Sequence, residues 1–238
     1  EYGWQTVTMC LGVFVLLMLV PLIMRRDTGM IVKNPQERAR LTDFASFFTQ
    51  RSIWRQLGFL LLYYASIVGI LSMMRPWLVA MGYYMKEIGV MSGIVGTSAA
   101  FCASFGAGFI VRRIGIYTAR LLFACFVLLT TVYFRTMSYL EQPSTLLLYL
   151  GIVLMWASYG MATIVVYTSA MECVRKGREG TDFTIQTVLT HLSGIIMAAV
   201  SGIMADHFGY HGLFLTECFI AALSLLYILT VFRKKNAA

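Results

Sequence analysis

Five stretches of this chain run for 19 to 30 residues without one Asp, Glu, Lys or Arg: Tyr2–Met24, Gln56–Met74, Ile88–Val111, Gln142–Met171 and Phe183–Ala205. A helix needs about 20 mostly apolar residues to cross a hydrocarbon layer of about 30 Å. Two more stretches qualify once charge near an end is tolerated: Ala119–Leu140, with Arg120 and Arg135, and Leu213–Phe232, with Glu217. The reading is an all-α integral membrane protein with seven transmembrane spans, lettered a to g in chain order.

Composition agrees. Hydrophobic residues make up 59% and charged residues 13%, against about 45–50% and about 25% in soluble domains. A soluble enzyme, a nucleic-acid binder and a disordered segment are thereby excluded. The formal charge of +8 is a matter of topology. Of the 19 Lys and Arg, 16 fall on one side of the spans: in the a–b connection, the c–d and e–f turns and the tail. Loops rich in Lys and Arg stay in the cytoplasm, which puts the carboxy-terminus inside. Span a has its cations after the apolar run, Arg25-Arg26, and not before it, so it is not a signal peptide. The start is expected outside, and an odd span count beginning there points to a fragment whose upstream helices are missing.

Residues 25–54 form the one long polar connection. Within it Leu41, Phe44 and Phe48 recur at helical spacing, which predicts a short amphipathic helix on the membrane surface. The other loops are short, so spans b to g are expected to be sequential antiparallel neighbours. A weak repeat links Gly3-Trp4-Gln5, leading into span a, with Gly209-Tyr210-His211, leading into span g; each span then ends at a basic cluster. An offset of 206 residues (209 less 3) suits two parallel halves of a transporter. The five cysteines lie in spans or at their ends without a CxxC pair and read as small apolar residues.

Two turns carry a resemblance. Gly108-Phe-Ile-Val-Arg112-Arg113-Ile-Gly115 is similar to the G-x-x-x-D-R-x-G signature of the major facilitator superfamily, with Arg112 at its acidic position. The e–f turn, Glu172-Cys-Val-Arg175-Lys-Gly-Arg178-Glu-Gly180-Thr-Asp182-Phe183-Thr184-Ile-Gln186, resembles the AmpG-like branch, and most closely its rhizobactin- and pyochelin-type siderophore importers. The resemblance covers the whole chain and implies helices six to twelve of such a transporter. Residues 1–24 would be the last helix of the missing amino-terminal bundle, 25–54 the cytoplasmic central loop, and 55–238 the carboxy-terminal six-helix bundle. It also implies proton-driven import of a ferric siderophore across the bacterial inner membrane by alternating access, or, as the alternative, an AmpG-like muropeptide permease. A third reading, of another class, is a truncated or non-transporting membrane interaction protein. No cofactor, metal or nucleic acid is implied; the partners are the lipid bilayer, a small-molecule substrate and the amino-terminal half.

On span e, Tyr149, Trp156, Tyr159, Gly160, Thr163 and Tyr167 fall within a sector of about 100°. Such a stripe stacks on rings or sugars and donates hydrogen bonds, or it is ordinary helix packing; the resemblance implies that this helix lines the pathway. On span f, Thr184, Thr187, His191, Gly194, Ala198, Ser201, Gly202 and Ala205 share one side, opposite Ile185, Leu189, Leu192, Ile196 and Ile203. His191 lies nine residues past Asp182, about 13 Å deep. An ionisable group there is a candidate proton carrier or substrate partner, or a neutral His bonded to a helix carbonyl.

Arg75 precedes Pro76, which removes a helical hydrogen bond, and broken helices beside a charge mark transporter sites. With Tyr64 on its face, Arg75 is a candidate for a substrate carboxylate, or it snorkels to the headgroups. Arg135 and Glu217 are expected to snorkel or pair at the outer boundary. Glu172, Arg175, Arg178 and Asp182 at the inner mouth are candidate gating charges, whose alternative is a solvated loop. Span c is rich in small residues, a signal for close helix packing. Asp206, His207 and His211 share one turn without a fourth ligand, and no catalytic constellation is present.

Overall fold

A computed structural model describes residues 3–24, 41–140 and 142–232. The chain divides into two compact units, residues 1–38 and 39–238. In the first, α1 (Trp4–Met24) has 21 residues and spans about 32 Å, the length a bilayer core requires. Near its start, Thr8 donates to the Trp4 carbonyl at 2.8 Å and is satisfied within the helix. The basic residues expected at 25–40 and 233–235 lie outside the described residues.

The second unit is helical throughout its regular structure. Residues Leu41–Phe48 form α2 and Arg51–Ala80 form α3; α4 (Met85–Gly89) passes through a π-helical turn at Val90–Gly96 into α5 (Thr97–Ile114). Then follow α6 (Ile116–Met137), α7 (Thr145–Glu172) and α8 (Glu179–Val231). Among the described residues six helices are long and apolar enough to cross a membrane: α1, α3, the α4–α5 run, α6, α7 and α8. The chain is a multi-span, all-α integral membrane protein.

Two glycines shape the path. Gly115, at φ 79°, makes the one-residue turn between α5 and α6 that no L side chain takes without strain. Gly209, at φ 65° and ψ −179°, sits inside α8 and breaks it into two arms. Without that break the 53 residues of α8 would extend about 80 Å, far beyond a hydrocarbon core.

Short loops make chain neighbours antiparallel, but the main contacts are elsewhere. α3 packs most extensively on α8, and α5 on α7. The α5–α7 contact depends on small residues: a Cβ on Gly160 would lie 2.6 Å from the Ala100 carbonyl oxygen and from Ser104 Oγ. Backbones approach here as closely as small-residue interfaces in membranes allow.

Two apolar clusters fill the bundle. One joins Phe47, Leu57, Phe59 and Tyr63 to Phe123, Val165 and Ile228. Arg120 is buried beside it, its guanidinium 4.9 Å from the Phe59 ring and 4.5 Å from the Phe232 ring, with Nε donating to Ser169 Oγ at 3.0 Å. Aromatic faces and one hydroxyl thus hold a charge inside the protein. The other cluster centres on Trp77, Phe134 and Phe214, whose rings lie 5.2–5.7 Å apart.

The expectation for Glu217 is corrected. Its side chain is fully buried and neither snorkels nor reaches an interface. The break at Gly209 lets the second arm begin before the apolar run does, so Glu217 lies two turns inside the helix. Arg135 does find a local setting, over the Tyr139 ring at 4.2 Å and 3.5 Å from His211 Nδ1.

Candidate functional site

α7 presents Trp156, Tyr159, Thr163 and Tyr167 at helical intervals of three or four residues, and all four are half-buried. The partners come from α3 and α8. Tyr64 on α3 places its hydroxyl 3.5 Å from Thr163 Oγ1 and its ring 5.5 Å from that of Tyr159. Tyr159 in turn meets Trp156 edge to face at 5.9 Å, a geometry favoured by the ring quadrupoles. Thr163 donates to the Tyr159 carbonyl at 2.7 Å, so its oxygen is left as an acceptor for Tyr64. One turn further on, Tyr167 Oη lies 3.3 Å from Nε2 of His191 on α8.

Six of the nine predicted substrate residues therefore meet along one line: Tyr64, Trp156, Tyr159, Thr163, Tyr167 and His191. Thr187 stands one turn before His191, and its Oγ1 is buried without a hydrogen-bond partner among the described residues. Tyr149 packs on the Trp77 cluster, as Trp156 and Tyr159 also do, and makes no hydrogen bond or ring contact with the line among the described residues. Arg75 stands apart: it is exposed and makes no hydrogen bond or ion pair among the described residues. The break expected beside it is absent, since α3 continues through Pro76 to Ala80.

The face of α8 also differs from the sequence reading. Gly194 and Ser201 turn into the bundle against α3, whereas His191 is exposed and Thr184 with it. Gln186, Thr190 and Ser193 form the buried polar stripe instead; Ser193 donates to the Leu61 carbonyl at 2.9 Å and Thr190 to that of Gln186 at 2.9 Å. A hydroxyl that bonds its own or a neighbouring helix backbone needs no water, so such residues enter a core unnoticed by hydropathy.

Two of the four candidate gating charges, Arg175 and Asp182, form an ion pair. Arg175 clasps Asp182 through Nε at 2.8 Å, Nη2 at 2.6 Å and its backbone N–H at 2.9 Å. Asp182 is fully buried. It precedes the uncharged run that begins at Phe183. Burial alone would push its carboxyl up, but the Arg175 guanidinium and backbone N–H overcome this and hold it below the usual range. Arg175 Nη1 also donates to Ser46 Oγ on α2 at 2.7 Å, so the turn and α2 share one anchor. Glu172 is exposed, and the Arg178 backbone N–H donates to the Arg175 carbonyl at 3.0 Å.

Grooves lie elsewhere. One of about 470 Å³ runs between α2 and the start of α8, lined by Phe44, Phe48, Thr181, Thr184 and Val188. Another of about 450 Å³ lies along Phe101, Phe105, Phe109 and Arg112 of α5 and Ile164 of α7. Both are almost wholly apolar, so neither offers the converging polar groups of a ligand site.

Among the described residues, polar side chains buried between long apolar helices flank an aromatic stripe. The profile of the Major Facilitator Superfamily matches residues 1–196, and the chain belongs to that superfamily. It is also similar to a protein of Rickettsia prowazekii (strain Madrid E) that carries the transporter name AmpG 1, at 26% identity over 181 residues. That match takes in 76% of this chain and 40% of the relative, so the chain spans well under two thirds of its length.

Proposed function

We propose that this chain is the carboxy-terminal part of an AmpG-like secondary transporter that moves a muropeptide across a bacterial inner membrane. The line Tyr64–Trp156–Tyr159–Thr163–Tyr167–His191 carries the reading: stacked rings beside hydroxyls and an imidazole suit a sugar with amide and hydroxyl groups. The likeness to AmpG 1 supports that branch. In this reading α8 counts as two crossings, giving seven spans with the carboxy-terminus in the cytoplasm, and a second bundle completes the pathway. The halves rock about the site between them. His191 bonds substrate together with Tyr167 and exchanges the driving proton, because imidazole changes charge near neutral pH. Arg175–Asp182 is a closed inner contact that parts when the cavity opens inward.

A ferric siderophore is the second reading, favoured only by the residues of the 172–186 turn. The site reading is tested in the complete transporter with labelled N-acetylglucosaminyl-anhydro-N-acetylmuramic acid. Tyr159→Ala is expected to raise KM for uptake about tenfold, the worth of one lost aromatic contact and its packing. A lowered maximal rate at unchanged KM would make Tyr159 a packing residue and remove the stripe from the site.

A further inference from the structure

We propose that Glu217 is a proton-exchange site, set where α3 meets both arms of α8, and that it ties proton uptake to the packing of those helices. Its role in coupling rests on the transport reading above; the site itself does not. Glu217 Oε1 accepts a hydrogen bond from Ser201 Oγ at 2.7 Å, and Oε2 is buried with no partner among the described residues. Ser201 precedes Gly209 by eight residues and Glu217 follows it by eight, so the two side chains meet about 12 Å from the break, well inside the bilayer.

α3 is shaped to receive the carboxyl. A Cβ on Gly69 would collide with it and stand 2.6 Å from Ser201 Oγ, so only glycine leaves the space. One turn earlier on α3, Ser66 Oγ is also buried and unpartnered. Ser201 supplies one donor to the carboxyl, and no cation bonds it among the described residues.

The charges on the surrounding elements are committed or remote. Arg55 and Arg75 are exposed near the two ends of α3. Arg135 of α6 is engaged by Tyr139 and His211. Cys218, beside Glu217 on α8, is the titratable group within electrostatic reach of both Glu217 and Arg135. Asp206 and His207 are exposed, and Tyr210 and His211 are the first two residues after the break.

A bare carboxylate inside a membrane protein needs water or a cation. In this pocket neither enters unless α3 and the two arms of α8 part. Loss of the proton and separation of the helices are therefore one event, and a change of helix packing is the currency of alternating access. The buried stripe of Ser193, Thr190 and Gln186 continues from this pocket toward Asp182 and supplies polar groups along the same seam.

Infrared titration of the 238-residue chain in lipid nanodiscs reads the carbonyl stretch of a protonated carboxyl. Wild type is expected to show a band that disappears and returns as pH is cycled and that shifts in heavy water. Glu217→Gln should lack it, whereas Asp206→Asn, exposed on the same helix, should keep it. Ser201→Ala, which removes the donor and preserves the acid, should shift its frequency. The same pH-dependent band in wild type and Glu217→Gln would overturn the site. Coupling is read separately, in the complete transporter, from uptake of the labelled anhydro-disaccharide. Glu217→Gln is expected to equilibrate the probe without concentrating it, and Glu217→Asp to restore accumulation. Concentrative uptake by Glu217→Gln would overturn the coupling role. Failure of wild type to take up the probe would overturn the substrate reading, and the infrared band would still decide the proton site.

Discussion

Arg175→Ala is expected to lower the unfolding free energy of the detergent-solubilised chain by about 3–5 kcal/mol, the cost of leaving a buried partner uncompensated. Asp182 is fully buried and accepts three N–H donors from Arg175, two of them from the guanidinium. The alanine variant keeps the backbone N–H and strands the charge. Arg175→Ala with Asp182→Asn should recover most of the loss, because the charge goes with its partner. The pH dependence has a definite sign. The Asp182 carboxyl is held low in the folded state, so its contribution is complete above the ordinary value of 3.8 and fades as pH falls through the folded value. The difference between wild type and Arg175→Ala should therefore be full at neutral pH and shrink in acid. Denaturant unfolding across that range measures it; a constant difference would place the effect on the Ser46 contact instead.

His191→Gln is expected to abolish concentrative uptake while leaving exchange of substrate across the membrane. Glutamine keeps a donor and an acceptor for Tyr167, which sits 3.3 Å from Nε2. It has no charge change near neutral pH, so the hydrogen bond survives and the proton step does not. Counterflow into preloaded vesicles reports exchange, and uptake under an imposed proton gradient reports coupling. Intact accumulation would return His191 to a substrate or packing role.

Long apolar runs, with charge tolerated near an end for α6, pick out the six long helices among the described residues, because hydrocarbon thickness leaves few other solutions. The Ile88–Val111 run hid a seam, however. Its first turns are π-helical through Val90–Gly96, and a change from four- to five-residue spacing leaves composition untouched. Trp156 of α7 lies against that turn: a Cβ on Gly96 would collide with its indole, and the indole N–H is buried without a partner among the described residues. The α7 stripe itself was legible from spacing, since one helix supplies it. Its partners Tyr64 and His191 come from two other helices, and their proximity is a tertiary fact. The sequence places Glu217 four residues into the Leu213–Phe232 run, near the outer boundary. Gly209 starts the arm earlier, and Ser201 and Gly69 then complete a pocket across 16 and 148 residues of chain (217 less 201; 217 less 69) that no periodicity connects.

The groove at α2 shows the same division. Phe47, outside the Leu41–Phe44–Phe48 face read from the sequence, is the buried phenylalanine of α2, while Phe44 is exposed. The hydrogen bond from Arg175 to Ser46 fixes where α2 docks, and it joins residues 129 positions apart.

The central proposal, transport of a muropeptide, is tested most directly by uptake in a transporter-null bacterial strain that produces the complete protein. Labelled anhydromuropeptide and labelled ferric siderophore are offered side by side, with and without an uncoupler. Accumulation of the muropeptide that the uncoupler abolishes is the expected result. Accumulation of the siderophore alone would contradict it and move the protein to iron uptake, with the Tyr64–Trp156–Tyr159 rings stacking on a different cargo.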